Sequence, residues 1–305
     1  MKVLLLGANG QLASDLLSIL TCRNAKVTPL RHKELEVCDS AQVDQAVAAF
    51  RPDYVINTTA FHKLEECEKN AERSFAVNTL AVGELSKACE RHGAALVHFS
   101  TDYVFGGDRA RTAPYAEIDK VAPLNVYGAS KAGGELMVPF NTGNYFLLRV
   151  CGLYGTAGSS GKGSNFVEGM LKKAAAGDSI KVVEDQVLTP TATLVLAEAV
   201  VKLMETRAYG LYHVTCEGQC SWYEFARAIF ELSALKVDLS PVKTSEFPSP
   251  VQRPGYSVLS KQKLNELGIA MPHWREGLER YLCFRKQFQG ARPTATIAIR
   301  DVQEK

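Results

Sequence analysis

Tyr127 and Lys131 stand four residues apart in Val126-Tyr127-Gly128-Ala129-Ser130-Lys131. On a helix that spacing puts a phenol and an ammonium on one face. Of the eleven tyrosines, only Tyr127 has a lysine at this distance. A nearby positive charge favours phenolate, so the pair predicts a Tyr127 pKa below the ordinary value of about 10. A tyrosine tuned in this way donates or accepts a proton near neutral pH, which is the chemistry of carbonyl reduction. A Tyr-x-x-x-Lys on a solvated helix face would have the same spacing, so the elements that position the pair decide its meaning.

Two other segments bear on it. Gly7-Ala8-Asn9-Gly10-Gln11-Leu12-Ala13 joins a strand-like run, Val3–Leu6, to a helix-like run, Gln11–Leu20. Gly7 permits a tight turn, and Gly10 lets backbone N–H groups approach a pyrophosphate at the helix N-terminus. Ala13 supplies the small residue where helix packs on strand. A purely structural turn would need the same residues, but the first corner of an alternating chain favours a dinucleotide. After the next strand come Arg31-His32-Lys33, without the acid that holds the ribose 2′-hydroxyl of NAD. This predicts NADPH over NADH, with Arg31 on the 2′-phosphate; a solvated basic loop is the plainer alternative. Asp39 suits two roles equally, contact with the adenine amine or the cap of the next helix. The second segment, Phe99-Ser100-Thr101-Asp102-Tyr103-Val104-Phe105-Gly106, follows a strand directly. A Thr101 hydroxyl there would face the ligand crevice and reach the carbonyl oxygen addressed by Tyr127.

The wider chain supports such a crevice. Apolar runs at Lys26–Leu30, Tyr54–Asn57, Ala95–Phe99 and Tyr145–Val150 alternate with helical patterns at Ser40–Phe50, Ala71–His92 and Tyr127–Val138. Nearly continuous apolar strands are covered on both faces, so the fold class expected is α/β, a doubly wound parallel sheet of Rossmann type. Beyond Val150 the pattern loosens: helices at Phe166–Ala176, Thr193–Glu205, Ser221–Leu232 and Trp274–Arg285, strands at Ile180–Glu184 and Gly210–Thr215, and a turn-rich Ser240–Pro254. The division expected is 1–155 for cofactor, 156–289 for a smaller substrate lobe with some segments returning to the first domain, and 290–305 as a tail. Trp222 and Tyr223 read as core of that lobe. Gly161-Lys162-Gly163 lacks the serine or threonine and the leading glycine of a nucleoside-triphosphate loop.

Composition narrows the classes further. A net charge of +2 in 305 residues gives no case for nucleic acid or an anionic membrane surface. The first apolar run is too short for a signal peptide, and no run approaches the ~18 residues of a membrane span. A cytoplasmic setting is therefore expected. The eight cysteines are scattered without a Cys-x-x-Cys, which reads as reduced, mostly buried thiols and no metal site.

Gly7-x-x-Gly10-x-x-Ala13, Ser100-Thr101-Asp102-Tyr103-Val104-Phe105 and Pro123-Leu124-Asn125-Val126-Tyr127-Gly128-Ala129-Ser130-Lys131 together resemble an extended short-chain dehydrogenase/reductase. More narrowly, they are similar to the dTDP-4-dehydrorhamnose reductase family. Arg51–Asn57, Asn165-Phe166, Asp185–Thr191, Gly210–His213, Trp222–Ala226 and Arg253-Pro254 extend the likeness from Met1 to about Arg285. The resemblance implies an NADPH-dependent reductase of the C4 keto group of a nucleotide-linked 6-deoxy sugar, dTDP-4-dehydro-L-rhamnose above others. Tyr127 would donate the proton, Lys131 would hold the nicotinamide ribose, and Thr101 would polarise the carbonyl. Gly7, Asn9, Gly10, Gln11, Leu12, Arg31, Asp39 and Ala60 would contact the cofactor, together with Tyr127 and Lys131. Thr101, Asp102, His62, Asn165, Gln186, Thr191 and Arg253 would line the substrate cleft, although helix capping is an equal reading for Asn165 and Thr191. A homodimer is also implied.

Two positions depart from the family pattern: His62 replaces a small hydroxyl residue and Gly152 a tryptophan, which bears on the sugar. Two rival classes share the motifs. A dehydratase or epimerase would retain its NAD, but a dehydratase needs an acidic pair after the threonine, where this chain has Asp102-Tyr103. A non-catalytic regulatory subunit, like the beta subunit of methionine adenosyltransferase, would bind a partner enzyme instead.

Overall fold

The computed structural model describes residues 1–157, 164–247 and 249–290, with side chains through 285. The expected tail, and the Gly161-Lys162-Gly163 segment, lie outside the described residues, apart from Gly290 itself.

Five strands alternate with helices: β1 (Lys2–Leu6), β2 (Lys26–Leu30), β3 (Tyr54–Asn57), β4 (Ala95–Thr101) and β5 (Tyr145–Val150). They pair with the strand Gly210–His213 in the order Gly210–His213, β5, β4, β3, β1, β2, every pair parallel. The expected doubly wound sheet is what forms. Alternate residues of β1 feed two separate cores. Val3 and Leu5 pack with helix α1 (Gln11–Cys22) and helix Thr193–Thr206 on one face, while Leu4 and Leu6 pack with helices Ser40–Phe50 and Ala81–His92 on the other. Each leucine so buried contributes about 1.5–3 kcal/mol. β2 is the edge, and only there does a strand of this sheet tolerate Pro29.

From β1 the chain crosses to β2 on one side, and β3 lies on the other. That reversal opens a crevice at the carboxyl ends of β1 and β3. The remaining chain builds a smaller lobe from short pairs: Ile180–Val183 with Leu239–Val242, Val187–Leu188 with Cys220–Ser221, and Leu153–Tyr154 with Thr191–Ala192. Helix Trp222–Leu232 enters this lobe through a Ser221/Glu224 capping box, and Trp222 packs 4.5 Å from Phe166, as core. The strand Gly210–His213 and helix Thr193–Thr206 return to the first domain, so the two halves are not separated by one cut in the sequence.

One helix differs from expectation. Ala71–His92 is interrupted: α-helical Ala71–Phe75, a π-helical turn Ala76–Leu80, then α-helical Ala81–His92. The wide turn carries Asn78 and Thr79 inward onto Ser130, where Asn78 Nδ2 donates to Ser130 Oγ at 3.0 Å and Thr79 Oγ1 to Ser130 O at 2.6 Å. Hydrogen bonds to a distant helix thus override the local 3.6-residue period.

The helix bearing Tyr127 and Lys131 spans Val126–Asn141 and is capped by Asn125, which accepts from Gly128 N at 2.8 Å. Its first turn lies against the short 3₁₀ turn Asp102–Val104, and a Cβ at Gly128 would overlap the Tyr103 carbonyl oxygen. Gly128 therefore sets how closely Tyr127 can approach Thr101. Gly128→Ala is expected to lower the unfolding free energy by about 1–3 kcal/mol in urea titration, the usual scale of overpacking. An unchanged midpoint would show that the contact is not needed.

Candidate active site

The glycine turn closes as its sequence requires. Gly7 has φ of +78°, and a Cβ there would lie 2.7 Å from Thr58 Oγ1. Gly7 N and Ala8 N donate to Leu30 O at 2.9 and 3.1 Å, which fixes the turn to the end of β2. The following helix has Gly10 as N-cap with no side-chain cap, so the N–H groups of its first turn open on the crevice. Gln11 Nε2 donates to Leu153 O at 3.2 Å, while the buried Gln11 Oε1 has no partner. An uncapped helix end, a close-packed glycine and an orphaned acceptor together fit a dinucleotide. Asn9 and Ala60 lie on the loops after β1 and β3, and Leu12 is buried in the first turn of α1. Arg31 stands exposed just after β2, its N–H donating to Glu34 Oε2 at 2.7 Å. Asp39 is the cap of helix Ser40–Phe50: Oδ1 accepts from Ala41 N and Gln42 N at 3.1 and 3.0 Å. Of its two expected roles, the structure gives it the cap.

β4 delivers Thr101 to the carboxyl edge of the sheet, and the helix Val126–Asn141 brings Tyr127 close enough for the Thr101 hydroxyl to oppose the burial-driven rise of its phenol. The Tyr103 ring stands edge-on to Tyr127, centroids 6.0 Å apart. Thr101 Oγ1 also donates to Asp102 Oδ1 at 3.1 Å and accepts from Tyr103 N at 3.2 Å. Among the described residues no cation pairs with the buried Asp102; Ser257 Oγ and Cys151 Sγ donate to its Oδ2 at 2.6 and 3.1 Å. Burial pushes its carboxyl above the ordinary range, and the three donors oppose that.

Lys131 lies beneath, only 2% exposed, with Nζ donating to Phe99 O at 2.6 Å and 3.3 Å from His98 Nε2. Burial lowers its pKa to about 8, against the opposing pull of Glu135 one turn on. The expected acidification of Tyr127 does not occur here: burial raises the phenol, the Thr101 hydrogen bond opposes, and Asp102 and Cys67 add to the rise. The i,i+4 spacing is present, yet the amine turns to the strand carbonyl.

A buried network backs this group. Arg149 Nε and Nη2 donate to Glu135 Oε1 and Oε2 at 2.9 and 2.7 Å, in a pair 4% and 7% exposed. Ser100 Oγ donates to Glu135 Oε1 at 2.5 Å, and Arg149 Nη1 lies 3.2 Å from His213 Nε2. Asn78 clamps the Phe61 backbone in both directions, at 2.9 and 2.8 Å. Asn57, His98, Ser100, Glu135, Arg149 and His213 were not among the residues expected at the site. For all but Glu135, which lies on the helix Val126–Asn141, the available signal was polar residues at the carboxyl ends of otherwise apolar strands.

The expected cleft residues divide. His62, half-buried, has Nδ1 3.3 Å from Ala60 O on the loop after β3. Arg253 reaches across to Glu65 at 3.3 Å, and its charge is felt by Tyr103. Gln186 is buried and donates to Thr244 Oγ1 at 3.0 Å within the small lobe. Asn165 caps helix Phe166–Ala176, accepting from Glu168 N at 3.0 Å and donating to Gly155 O at 2.8 Å. Thr191 is fully buried; its hydroxyl donates to Thr189 O at 3.1 Å and accepts from Cys216 N at 3.1 Å. Asn165 thus acts as a helix cap and Thr191 as a backbone staple rather than a cap. Gly152 has φ of +54° against Pro190.

Sheet order, glycine turn and the Thr101–Tyr127–Lys131 set define a Rossmann-fold reductase of the short-chain dehydrogenase/reductase type. The chain belongs to the dTDP-4-dehydrorhamnose reductase family: the family described as RmlD substrate binding domain matches residues 1–285. It is 41% identical to the spore coat polysaccharide biosynthesis protein SpsK of Bacillus subtilis, across 92% of this chain and 96% of that one. It is 36% identical to dTDP-4-dehydrorhamnose reductase of Burkholderia thailandensis, across 93% and 98%. The crystal structure of dTDP-4-dehydrorhamnose reductase from Bacillus anthracis in complex with NADP matches with a TM-score of 0.88 and 38% identity, covering 93% of this chain and 99% of that one.

The Lys131 pKa has a signed consequence for stability. A lysine whose folded pKa is depressed binds its proton more weakly in the native state, so its ammonium costs stability below about pH 8. That cost fades as pH rises from there toward 10.5. Wild type is therefore expected to gain about 2–3 kcal/mol on a Lys131→Met variant between pH 7.5 and 10, in urea unfolding. A constant difference would mean that Lys131 is not destabilised as an ammonium.

Proposed function

We propose that this protein reduces the C4 keto group of a nucleotide-linked 6-deoxy sugar with NADPH, converting dTDP-4-dehydro-L-rhamnose to dTDP-L-rhamnose. The observation that carries the reading is the meeting of the Thr101 and Tyr127 hydroxyls at the mouth of a dinucleotide crevice, with a buried lysine below. Relatives named dTDP-4-dehydrorhamnose reductase support the substrate, and the NADP complex of one of them supports the cofactor.

The cofactor, when bound, supplies the hydride. The N–H groups at the start of α1 hold its pyrophosphate, and Arg31 takes the 2′-phosphate. Tyr127 and, once its single hydrogen turns from Asp102, Thr101 would aim two donors at one carbonyl oxygen, where negative charge develops on reduction. Because burial raises the Tyr127 phenol, it is fully protonated at neutral pH. An alkoxide is a far stronger base than phenolate, so proton transfer needs a loaded phenol at contact rather than an acidified one. The phenolate left behind is stabilised by the Lys131 ammonium. Arg253 offers a guanidinium to the diphosphate in place of Glu65, and His62, Asp102 and Gln186 belong to the sugar side.

The proposal includes the division at about residue 155, a cytoplasmic setting and a homodimer, the last read out by light scattering. Among the described residues no helix is long and apolar enough to cross a membrane.

Purified protein given NADPH and dTDP-4-dehydro-L-rhamnose should oxidise the cofactor, followed by loss of its absorbance. Absence of turnover on this and related keto sugars would remove the enzyme assignment. Tyr127→Phe should lower kcat by at least ~100-fold, and a near-normal rate would exclude it as the donor. Arg31→Ala should raise KM for NADPH roughly 10–100-fold while sparing NADH, the range expected for one charged hydrogen-bonding contact. Equal effects on both cofactors would move the 2′-phosphate elsewhere.

A further inference from the structure

The hydrogen bonds under Lys131 form a chain whose direction is fixed at its far end. Thr59 N and Thr59 Oγ1 both donate to Asn57 Oδ1, at 3.0 and 2.6 Å. A backbone N–H can only donate, so the Asn57 amide is locked with its oxygen toward Thr59 and its NH₂ toward His98. Asn57 Nδ2 lies 3.2 Å from His98 Nδ1, and His98 Nε2 lies 3.3 Å from Lys131 Nζ. Full burial beside Lys131 keeps His98 neutral, so the ring carries one hydrogen.

Two arrangements remain, and only one leaves no donors opposed. If Lys131 is an ammonium donating to His98 Nε2, the ring hydrogen sits on Nδ1 and points at the Asn57 NH₂. Two donors then face each other in a dry site, and neither has an acceptor. If Lys131 is a neutral amine, Nδ1 accepts from Asn57, Nε2–H donates to the Nζ lone pair, and Nζ still donates to Phe99 O.

We propose that His98 is a positioning residue that, at pH 8.5, donates its Nε2–H to a neutral Lys131 amine in the ligand-free protein, and that cofactor binding returns a proton to that amine. The proton comes from solvent and adds to the nitrogen lone pair, which releases the bond to His98 and frees an ammonium for the anionic cofactor. The inference rests on the cofactor reading above. Other groups around Lys131 are Tyr127 and Glu135 on its own helix, Arg149 from β5 paired with Glu135, and Asp102, Tyr103 and Cys67 around Tyr127. Of these charged groups Glu135 favours the ammonium, and Arg149 already claims both of its oxygens.

Nitrogen-15 spectra of histidine-labelled, ligand-free protein at pH 8.5 read the tautomer without any cofactor. Hydrogen on Nε2 of His98 is expected; hydrogen on Nδ1 overturns the proposal. Calorimetry of NADPH binding at pH 8.5, in buffers of different ionisation enthalpy, should show uptake of roughly half a proton or more. Lys131→Met should take up none. Asn57→Asp, nearly isosteric, places an acceptor against Nδ1 and should move the ring hydrogen there and abolish the uptake. Wild-type binding with no uptake overturns the proposal, whereas failure of NADPH to bind overturns the cofactor reading and leaves the tautomer test standing.

Discussion

The burial of one amine organises this molecule. Lys131 must reach the ligand crevice from a helix packed flat on the sheet, so its stem runs through the helix–sheet interface and Nζ emerges at the carboxyl edge of β4. An isolated ammonium in that position would cost several kcal/mol, and the surroundings divide the cost. Phe99 gives a carbonyl, His98 a ring nitrogen, and Glu135 a negative charge one turn away. Glu135 then needs its own partner, which Arg149 supplies from β5. Each buried group calls in the next, until the chain of partners ends at the Asn57 amide on one side and His213 on the other.

This explains a pattern across the sheet. Below the edge, the strands are apolar on both faces and interchangeable in role. At the edge, on the face covered by the helix Val126–Asn141, they carry Asn57, His98, Ser100, Arg149 and His213. The parallel register puts Asn57 beside His98, Ser100 beside Arg149, and Arg149 beside His213. A buried polar row of this kind adds little net stability compared with apolar residues of the same shape. Its effect is to make one register far better than its neighbours, because a slip by one residue would put every polar group among leucines.

How much of this was legible follows from the range of each interaction. Strand–helix alternation and the Gly7 turn depend on residues within a few positions of each other, and the chain states them directly. The π-helical turn at Ala76–Leu80 depends on Ser130, some fifty residues on, so a period count across Ala71–His92 could not show it. Asn165 and Thr191 illustrate the converse. Their types suit a nucleotide cleft, yet each also bonds the fold itself, Asn165 to Glu168 and Gly155 and Thr191 to Thr189 and Cys216. A polar type on a cleft-forming segment says nothing about whether its valences are already filled.

The Tyr127–Lys131 pair shows the same limit at the heart of the site. Spacing fixes where two side chains leave a helix, not where their ends arrive. Nζ spends its shortest hydrogen bond on Phe99 O, and burial then outweighs any attraction it offers the phenol. What holds the phenol in place is contact between segments far apart in the chain. Asp102 receives Thr101 from β4, Cys151 from just past β5, and Ser257 from the C-terminal segment. That one carboxylate ties both lobes together beside the reacting hydroxyls. The small lobe is therefore part of the machinery that aims Thr101 and Tyr127, as well as a wall for the substrate.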